Sequence, residues 1–217
     1  MNASLTAELA ADSHTHPALL PLRRQMAELF ETGLSTGCAL SVYFQGEHIA
    51  HLWGGFCDRE FNTPWQKDTL VNVFSASKGI LSAAILELIE TGRLDVDAPI
   101  AQYWPAFATA NKQHITTRDV LSHRAGLCAF QHFVPREDCY QWPAMKQHVE
   151  RMQAIDVLQG YQAYAPFTFG WILGGVIEAI TGLEPHNFIN QRFGDESGLD
   201  YHLALNDERL RRVAPVA

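Results

Sequence analysis

The sequence predicts an α+β fold, in which a small antiparallel sheet is flanked by helices and followed by a helical subdomain. Two observations carry this prediction. Residues 39–53 contain two β-rich runs around a Gly-containing turn, the pattern of a hairpin. From residue 75 onward, apolar residues instead recur at helical spacing in several segments. A length of 217 residues, 47% hydrophobic and 18% charged, fits a globular chain and argues against disorder or a coiled coil.

The front of the chain predicts one helix and one hairpin. An amphipathic helix lies within residues 19–34, and the hairpin strands lie in 39–44 and 48–53. Strict alternation along the second strand would place His48 and His51 on opposite faces, so these histidines do not indicate a metal site. Two strands are fewer than an isolated sheet normally needs, so we expect this chain to carry part of a larger sheet.

Residues 75–91 predict a buried helix. Apolar residues cover most of its circumference, and Gly92 follows as a natural left-handed residue at its C-terminal end. A helix that is apolar on nearly every side must pack against other elements on nearly every side. We therefore expect this helix to lie in the core.

Shorter helices are predicted in the rest of the chain. Asp97 as N-cap, with Pro99 just inside, predicts one, and Thr116 with Asp119 resembles a capping box that opens another before Gly126. Two further helices are predicted over residues 145–155 and 168–180, the second ended by Gly182. The middle of the chain is therefore predicted to be helical.

Charge and composition exclude several function classes. The net charge of −8 argues against a nucleic-acid partner. The longest apolar stretch, residues 167–177, is shorter than the roughly 20 residues that a bilayer span needs. The four cysteines show no C-x-x-C spacing and the start of the chain has no signal-peptide pattern, so we expect a cytoplasmic protein. We expect neither a cofactor nor a metal.

Ser75 and Lys78 form an S-x-x-K motif at the start of the predicted buried helix. Residues three apart on a helix share a face, so the amine can approach the hydroxyl, which is a weak nucleophile until a base is near. The structural alternative is that Ser75 caps the helix and Lys78 is a solvated charge. A cation in the first turn opposes the helix dipole, however, and a capping box would place Glu or Gln there. The residues by themselves leave both interpretations open.

Two longer segments resemble a known superfamily. The runs FSASKGILSAAILELIETGRLDVDAPI (residues 74–100) and ITTRDVLSHRAGL (residues 115–127) are similar to the serine β-lactamases and penicillin-binding proteins, in particular to the class C β-lactamase-like branch that includes family VIII carboxylesterases. The resemblance implies a β-lactamase/DD-peptidase-like fold. It also implies that residues 1–217 are the N-terminal part of one such domain, with 18–72 in the sheet subdomain and 73–217 in the helical one.

The resemblance also implies site residues. Tyr164 stands where the family has its second motif, and the family pattern gives Tyr164 and Lys78 a shared general-base role toward Ser75. Tyr161 is the alternative tyrosine. Pro166 occupies a position where a β-lactamase usually has Asn, which favours an esterase. His123, within the segment similar to the family's LSH-x-x-G signature, is interpreted as a hydrogen-bonded structural histidine.

These observations lead to three functional hypotheses. The first is a serine hydrolase that forms an acyl-enzyme on Ser75, most simply a carboxylesterase for short-chain esters. The second is a β-lactamase or D-Ala-D-Ala carboxypeptidase, which would take a lactam or peptide substrate. The third is a truncated, non-catalytic homologue that binds a ligand or partner chain. The family's third motif and C-terminal strands are missing after Tyr164, so we expect a weak oxyanion hole and self-association or binding of a complementary chain.

Overall fold

The computed structural model describes residues 8–11 and 13–215, which form two compact units. Within these residues, one unit takes in the chain up to Asn72 and again from Leu205, and the other is Val73–Ala204. The first unit carries the sheet and the second is helical. The predicted α+β class is confirmed.

The sheet of the first unit has three antiparallel strands in the order β1-β3-β2. They are β1 (His14–Thr15), β2 (Gly37–Phe44) and β3 (Glu47–Gly55). The predicted hairpin is confirmed, and its two turn residues, Gln45 and Gly46, both have positive φ, as a tight turn between twisted strands requires. Helix α1 (Leu20–Glu31) packs Met26 and Phe30 against Leu52 of β3.

The expected placement of two histidines on opposite faces of β3 is wrong. Val42 pairs with Ala50, but the next residue of β2, Tyr43, pairs with His48, so Ile49 is an extra residue in β3. Such a bulge shifts the alternation by one residue and returns His48 and His51 to the same face. Their ring centroids are 5.2 Å apart. Even so, the described residues contain no group of three or more His, Cys, Asp or Glu side chains placed to hold a metal ion.

The helical unit is built around one central helix. Its α-helices are α2 (Ser77–Glu90), α3 (Thr117–Leu121), α4 (Trp142–Arg151), α5 (Thr168–Thr181) and α6 (Pro185–Ile189), while α7 (Asp207–Leu210) belongs to the first unit. Helix α5 packs against each of the other four. A Cβ atom at Gly175 would lie 2.2 Å from the Trp104 ring, so glycine is needed there for the indole to reach the helix. In the described part of the chain, no helix is long and apolar enough to cross a bilayer.

Most predicted helices are present, with shifted ends. The buried helix is confirmed, and the capping box of Thr116 and Asp119 opens α3 as predicted. Asp97 is not an N-cap, because its carboxylate binds the Arg118 guanidinium at 2.6 Å and the next short 3₁₀ helix, Ile100–Gln102, begins only after Pro99. The helix predicted over 145–155 begins and ends about one turn earlier.

Candidate active site

The S-x-x-K motif lies where a short 3₁₀ turn, Phe74–Ala76, leads into α2. Ser75 is in the turn and Lys78 is in the first turn of the helix. The Lys78 ammonium donates hydrogen bonds to Ser75 Oγ and to the backbone carbonyl of Pro166, both at 3.0 Å. Pro166 is the residue that departs from the β-lactamase pattern. It has no side-chain amide, but its backbone carbonyl still accepts a hydrogen bond and orients the amine.

Tyr164 reaches the same oxygen from a distant part of the chain. Its phenol O–H donates to Ser75 Oγ at 2.7 Å across a separation of 89 residues. The structure therefore brings together Ser75, Lys78 and Tyr164, the three residues that the sequence singled out. The alternative, Tyr161, is 72% exposed, and Tyr164 is the tyrosine that contacts Ser75.

The hydrogen bond with Ser75 and the neighbouring Lys78 favour the ionised form of the phenol. The pKa of Tyr164 lies below its ordinary value, first because of its hydrogen bond with Ser75 and then because of Lys78. The Lys78 nitrogen lies 5.2 Å from the centre of the Tyr164 ring. A phenolate beside a serine hydroxyl can accept the hydroxyl proton, and a nearby ammonium stabilises the resulting arrangement of charge. The three side chains are thus placed for general-base activation of a nucleophile.

Backbone strain directly precedes the candidate nucleophile. Phe74 has φ of 45°, in the left-handed region that bulky side chains avoid. Strain of this kind costs about 1–3 kcal/mol and is concentrated at functional sites. Sequence reasoning did not predict it, because Phe gives no local signal of a left-handed residue. The only indication was the position of Phe74 next to Ser75.

An apolar cavity of about 540 Å³ opens beside Lys78. Its walls include Phe74, Trp142, Phe167 and Trp171, and the two indole rings stack with centroids 5.7 Å apart. Gly170, in the first turn of α5, also lines it. Cavities of this volume with aromatic walls are typical of small-molecule sites. Local sequence patterns do not show which aromatic residues form this cavity, because its walls come from separate parts of the chain.

Comparisons with known proteins show which family this chain is similar to. Residues 22–216 match the beta-lactamase family. The Esterase/beta-lactamase LipL of Mycobacterium tuberculosis is 37% identical over 161 residues, which cover 73% of this chain and 37% of that protein. Esterase EstB of Burkholderia gladioli is 28% identical over 163 residues, which cover 67% of this chain and 41% of that protein. The matched segments therefore cover less than half the length of each of these two relatives.

Solved structures show the same fold. A penicillin-binding protein homologue from Caulobacter crescentus superposes with a TM-score of 0.90 at 27% identity, covering 97% of this chain and 56% of that one. A family VIII carboxylesterase superposes with a TM-score of 0.86 at 30% identity, covering 95% and 57%. The family match extends over most of the chain, and the same segments contain the Ser75, Lys78 and Tyr164 cluster. This chain belongs to the beta-lactamase family.

Proposed function

We propose that this chain is the N-terminal part of a serine hydrolase that forms an acyl-enzyme on Ser75, and that its substrates are short-chain carboxylic esters. The observation that carries the proposal is the convergence of Lys78 Nζ and Tyr164 OH on Ser75 Oγ, at 3.0 and 2.7 Å. A serine that only capped a helix would not need two such partners.

The proposed reaction follows from these contacts. Tyr164, as phenolate, takes the proton from Ser75 as Oγ bonds to the ester carbonyl carbon, and the carbonyl electrons move to its oxygen. When that intermediate collapses, the bond to the alcohol oxygen breaks and the departing oxygen takes the proton back from Tyr164. Water then repeats both steps on the acyl-enzyme and frees Ser75. Lys78, oriented by the carbonyl of Pro166, keeps a positive charge beside the phenolate.

Oxyanion stabilisation is the weak point of the described residues. By the family pattern, the backbone N–H of Ser75 would supply one donor and a strand that carries the third motif would supply a second. Removal of one such donor typically costs about 10²–10³ in rate. We therefore expect slow turnover by these 217 residues, with acylation of Ser75 easier to observe than turnover.

Two features support esters over lactams. Pro166 has no side-chain amide to offer to a substrate, and the relatives include a protein named as an esterase and a structure of a family VIII carboxylesterase. A β-lactamase or D-Ala-D-Ala carboxypeptidase is the second candidate, favoured by relatives named esterase/beta-lactamase and penicillin-binding protein. A non-catalytic binder of a ligand or partner chain is the third.

Active-site labelling tests the proposal. A fluorophosphonate probe should label Ser75, because an activated hydroxyl attacks phosphorus, and Ser75→Ala should abolish labelling whereas the matched Ser77→Ala should not. p-Nitrophenyl butyrate should be hydrolysed in preference to nitrocefin. Labelling that persists in Ser75→Ala refutes the assignment of the nucleophile. Nitrocefin turnover without ester hydrolysis would select the lactamase, and an unlabelled chain would select the non-catalytic binder.

A further inference from the structure

The segment that carries Tyr164 is held by one residue of another loop. The backbone carbonyl of His123 accepts the N–H of Ala163 at 2.8 Å, and its ring Nδ1 accepts the N–H of Ala165 at 3.2 Å. The His123 ring also packs against the Tyr164 ring, with centroids 5.0 Å apart and planes at 58°. His123 therefore contacts the tyrosine and both of its neighbours in the chain.

His123 occupies a backbone position that normally favours glycine. It follows α3 with φ of 59°, its N–H donates to the Val120 carbonyl at 3.0 Å, and the N–H of Arg124 donates to the Asp119 carbonyl at 2.7 Å. This pair of hydrogen bonds is the Schellman motif, whose left-handed residue is usually Gly. A residue with a side chain costs roughly 1–2 kcal/mol there. Helix termination therefore does not explain why a histidine occupies this position. The contacts of its ring do explain it.

The contact with Ala165 requires a neutral ring. Nδ1 can accept the backbone N–H only when it carries no proton, so Nε2 bears the hydrogen. The pKa of His123 lies below its ordinary value of 6.5, because of burial first and the charge of Lys78 second. In the described part of the chain, Tyr164 and Lys78 are the titratable groups that face this ring. Protonation would place two donors against each other and remove the ring's hold on Ala165, while the main-chain bond to Ala163 remains.

We infer that His123 is a positioning residue that fixes Tyr164 against Ser75 by holding the backbone on both sides of the tyrosine. The inference rests on the proposed role of Tyr164 and adds a requirement to it. The phenol must lie within hydrogen-bond reach of Ser75 Oγ, and small displacements of a base reduce proton transfer strongly. The ring of His123, rather than its backbone alone, supplies the second anchor.

Two substitutions separate this role from a structural one. His123→Gly suits the left-handed backbone at no steric cost and removes the ring, whereas His123→Asn tolerates that backbone and keeps an acceptor oxygen. We expect fluorophosphonate labelling of Ser75 to slow by about tenfold or more in His123→Gly. A tenfold change in rate corresponds to the free energy of roughly one hydrogen bond. Labelling should recover most of that loss in His123→Asn. The melting temperature of His123→Gly should change little, since relief of the left-handed backbone strain offsets the lost ring contacts with Tyr164 and Phe169.

A control and two further readouts complete the test. His114→Asn makes the same substitution at a histidine paired with Gln159 and should label like the wild type. Below pH 6.5, wild-type labelling should fall more steeply with acid than labelling of His123→Asn, which has no ring to protonate. Independently of activity, the Tyr164 phenol, titrated by its absorbance with Tyr164→Phe as the blank, should ionise at higher pH in His123→Gly, nearer its ordinary 10.0.

The outcomes distinguish this inference from the proposed function. Wild-type labelling in His123→Gly, or His123→Asn no better than His123→Gly, would overturn the positioning role. An unlabelled wild type would refute the proposed hydrolase, while a shifted Tyr164 titration in His123→Gly would still support the positioning of the tyrosine. An unlabelled wild type together with an unshifted titration would overturn both.

Discussion

Filling the apolar cavity from Gly170 should change which esters react. Gly170 lines the cavity, and a Cβ atom at this position would meet nothing within 4 Å, so a larger side chain can extend into open space. The cavity approaches the nucleophile through Lys78, which lines it and donates to Ser75 Oγ, whereas neither Ser75 nor Tyr164 lines it. Tyr164 would return the proton to the departing alcohol. The alcohol must face Tyr164, so we expect the acyl group to occupy the cavity. Gly170→Leu would then compete with the acyl chain for the same space.

The size of the effect follows from the area removed from water. Hexanoate has four more methylene groups than acetate, and each buried methylene contributes about 0.8 kcal/mol. Complete burial gives about 3 kcal/mol, and burial of half the chain gives about 1.5 kcal/mol. These energies correspond to roughly 100-fold and 10-fold in kcat/KM. The wild type should therefore prefer p-nitrophenyl hexanoate to the acetate by about 10- to 100-fold.

Ester series would show whether this reasoning holds. In Gly170→Leu the preference for hexanoate should disappear while acetate hydrolysis, or Ser75 labelling by a small probe, is retained. Gly79→Leu is the matched control, since its Cβ also meets open space but the residue does not line the cavity. Lengthening the alcohol instead of the acyl group should give little discrimination. An unchanged hexanoate preference in Gly170→Leu, or an equal loss of acetate activity, would refute the placement of the acyl chain.

Three further predictions concern the base, the core and the sheet edge. Lys78→Ala and Tyr164→Phe should each abolish Ser75 labelling with nearly unchanged melting temperature. The double variant should show no greater loss of labelling than either single variant, because the two residues act as a unit. Normal labelling in a single variant removes that residue from the mechanism. Lys112 is fully buried, donates to the carbonyls of Thr109 and Glu150, and has a pKa lowered from 10.5 to about 8 by burial. Between those pH values the unfolded chain binds more protons than the folded one. The unfolding free energy of the wild type, measured relative to that of Lys112→Met, should therefore rise with pH by up to about 3 kcal/mol. A difference in unfolding free energy that does not change with pH contradicts this. Strand β2 lies at an edge of the described sheet, and its two last residues are exposed. We therefore expect these 217 residues to self-associate or to bind the dye ANS, and a version extended to the length of the relatives to do neither. A 217-residue protein that is monomeric by light scattering and fully active in ester hydrolysis would contradict this expectation.

Local sequence rules predicted what depends on neighbours in the chain. The i, i+3 spacing of Ser75 and Lys78 was enough to predict that the amine reaches the hydroxyl, because a helix fixes that relation within one turn. The same kind of rule failed in β3, where one extra residue, Ile49, reversed the expected faces. A bulge depends on how two strands pair, and no residue type within β3 predicts it. Alternation therefore predicts a face only as far as the next irregularity.

The position of Tyr164 required information that local rules do not contain. Residues 155–165 run beside residues 123–126, with the N–H groups of Ile155, Gly160 and Ala163 donating to carbonyls of that segment. Hydrogen bonds between main chains are available to any sequence, so they cannot set this register alone. Gly126 adds a constraint that does depend on the sequence. Its φ is 67°, and a Cβ atom there would lie 2.7 Å from the Ile155 carbonyl oxygen, so a larger residue would push the two segments apart. One glycine thus sets the separation of the segments at one end, and His123 anchors them at the other, where the tyrosine meets the nucleophile.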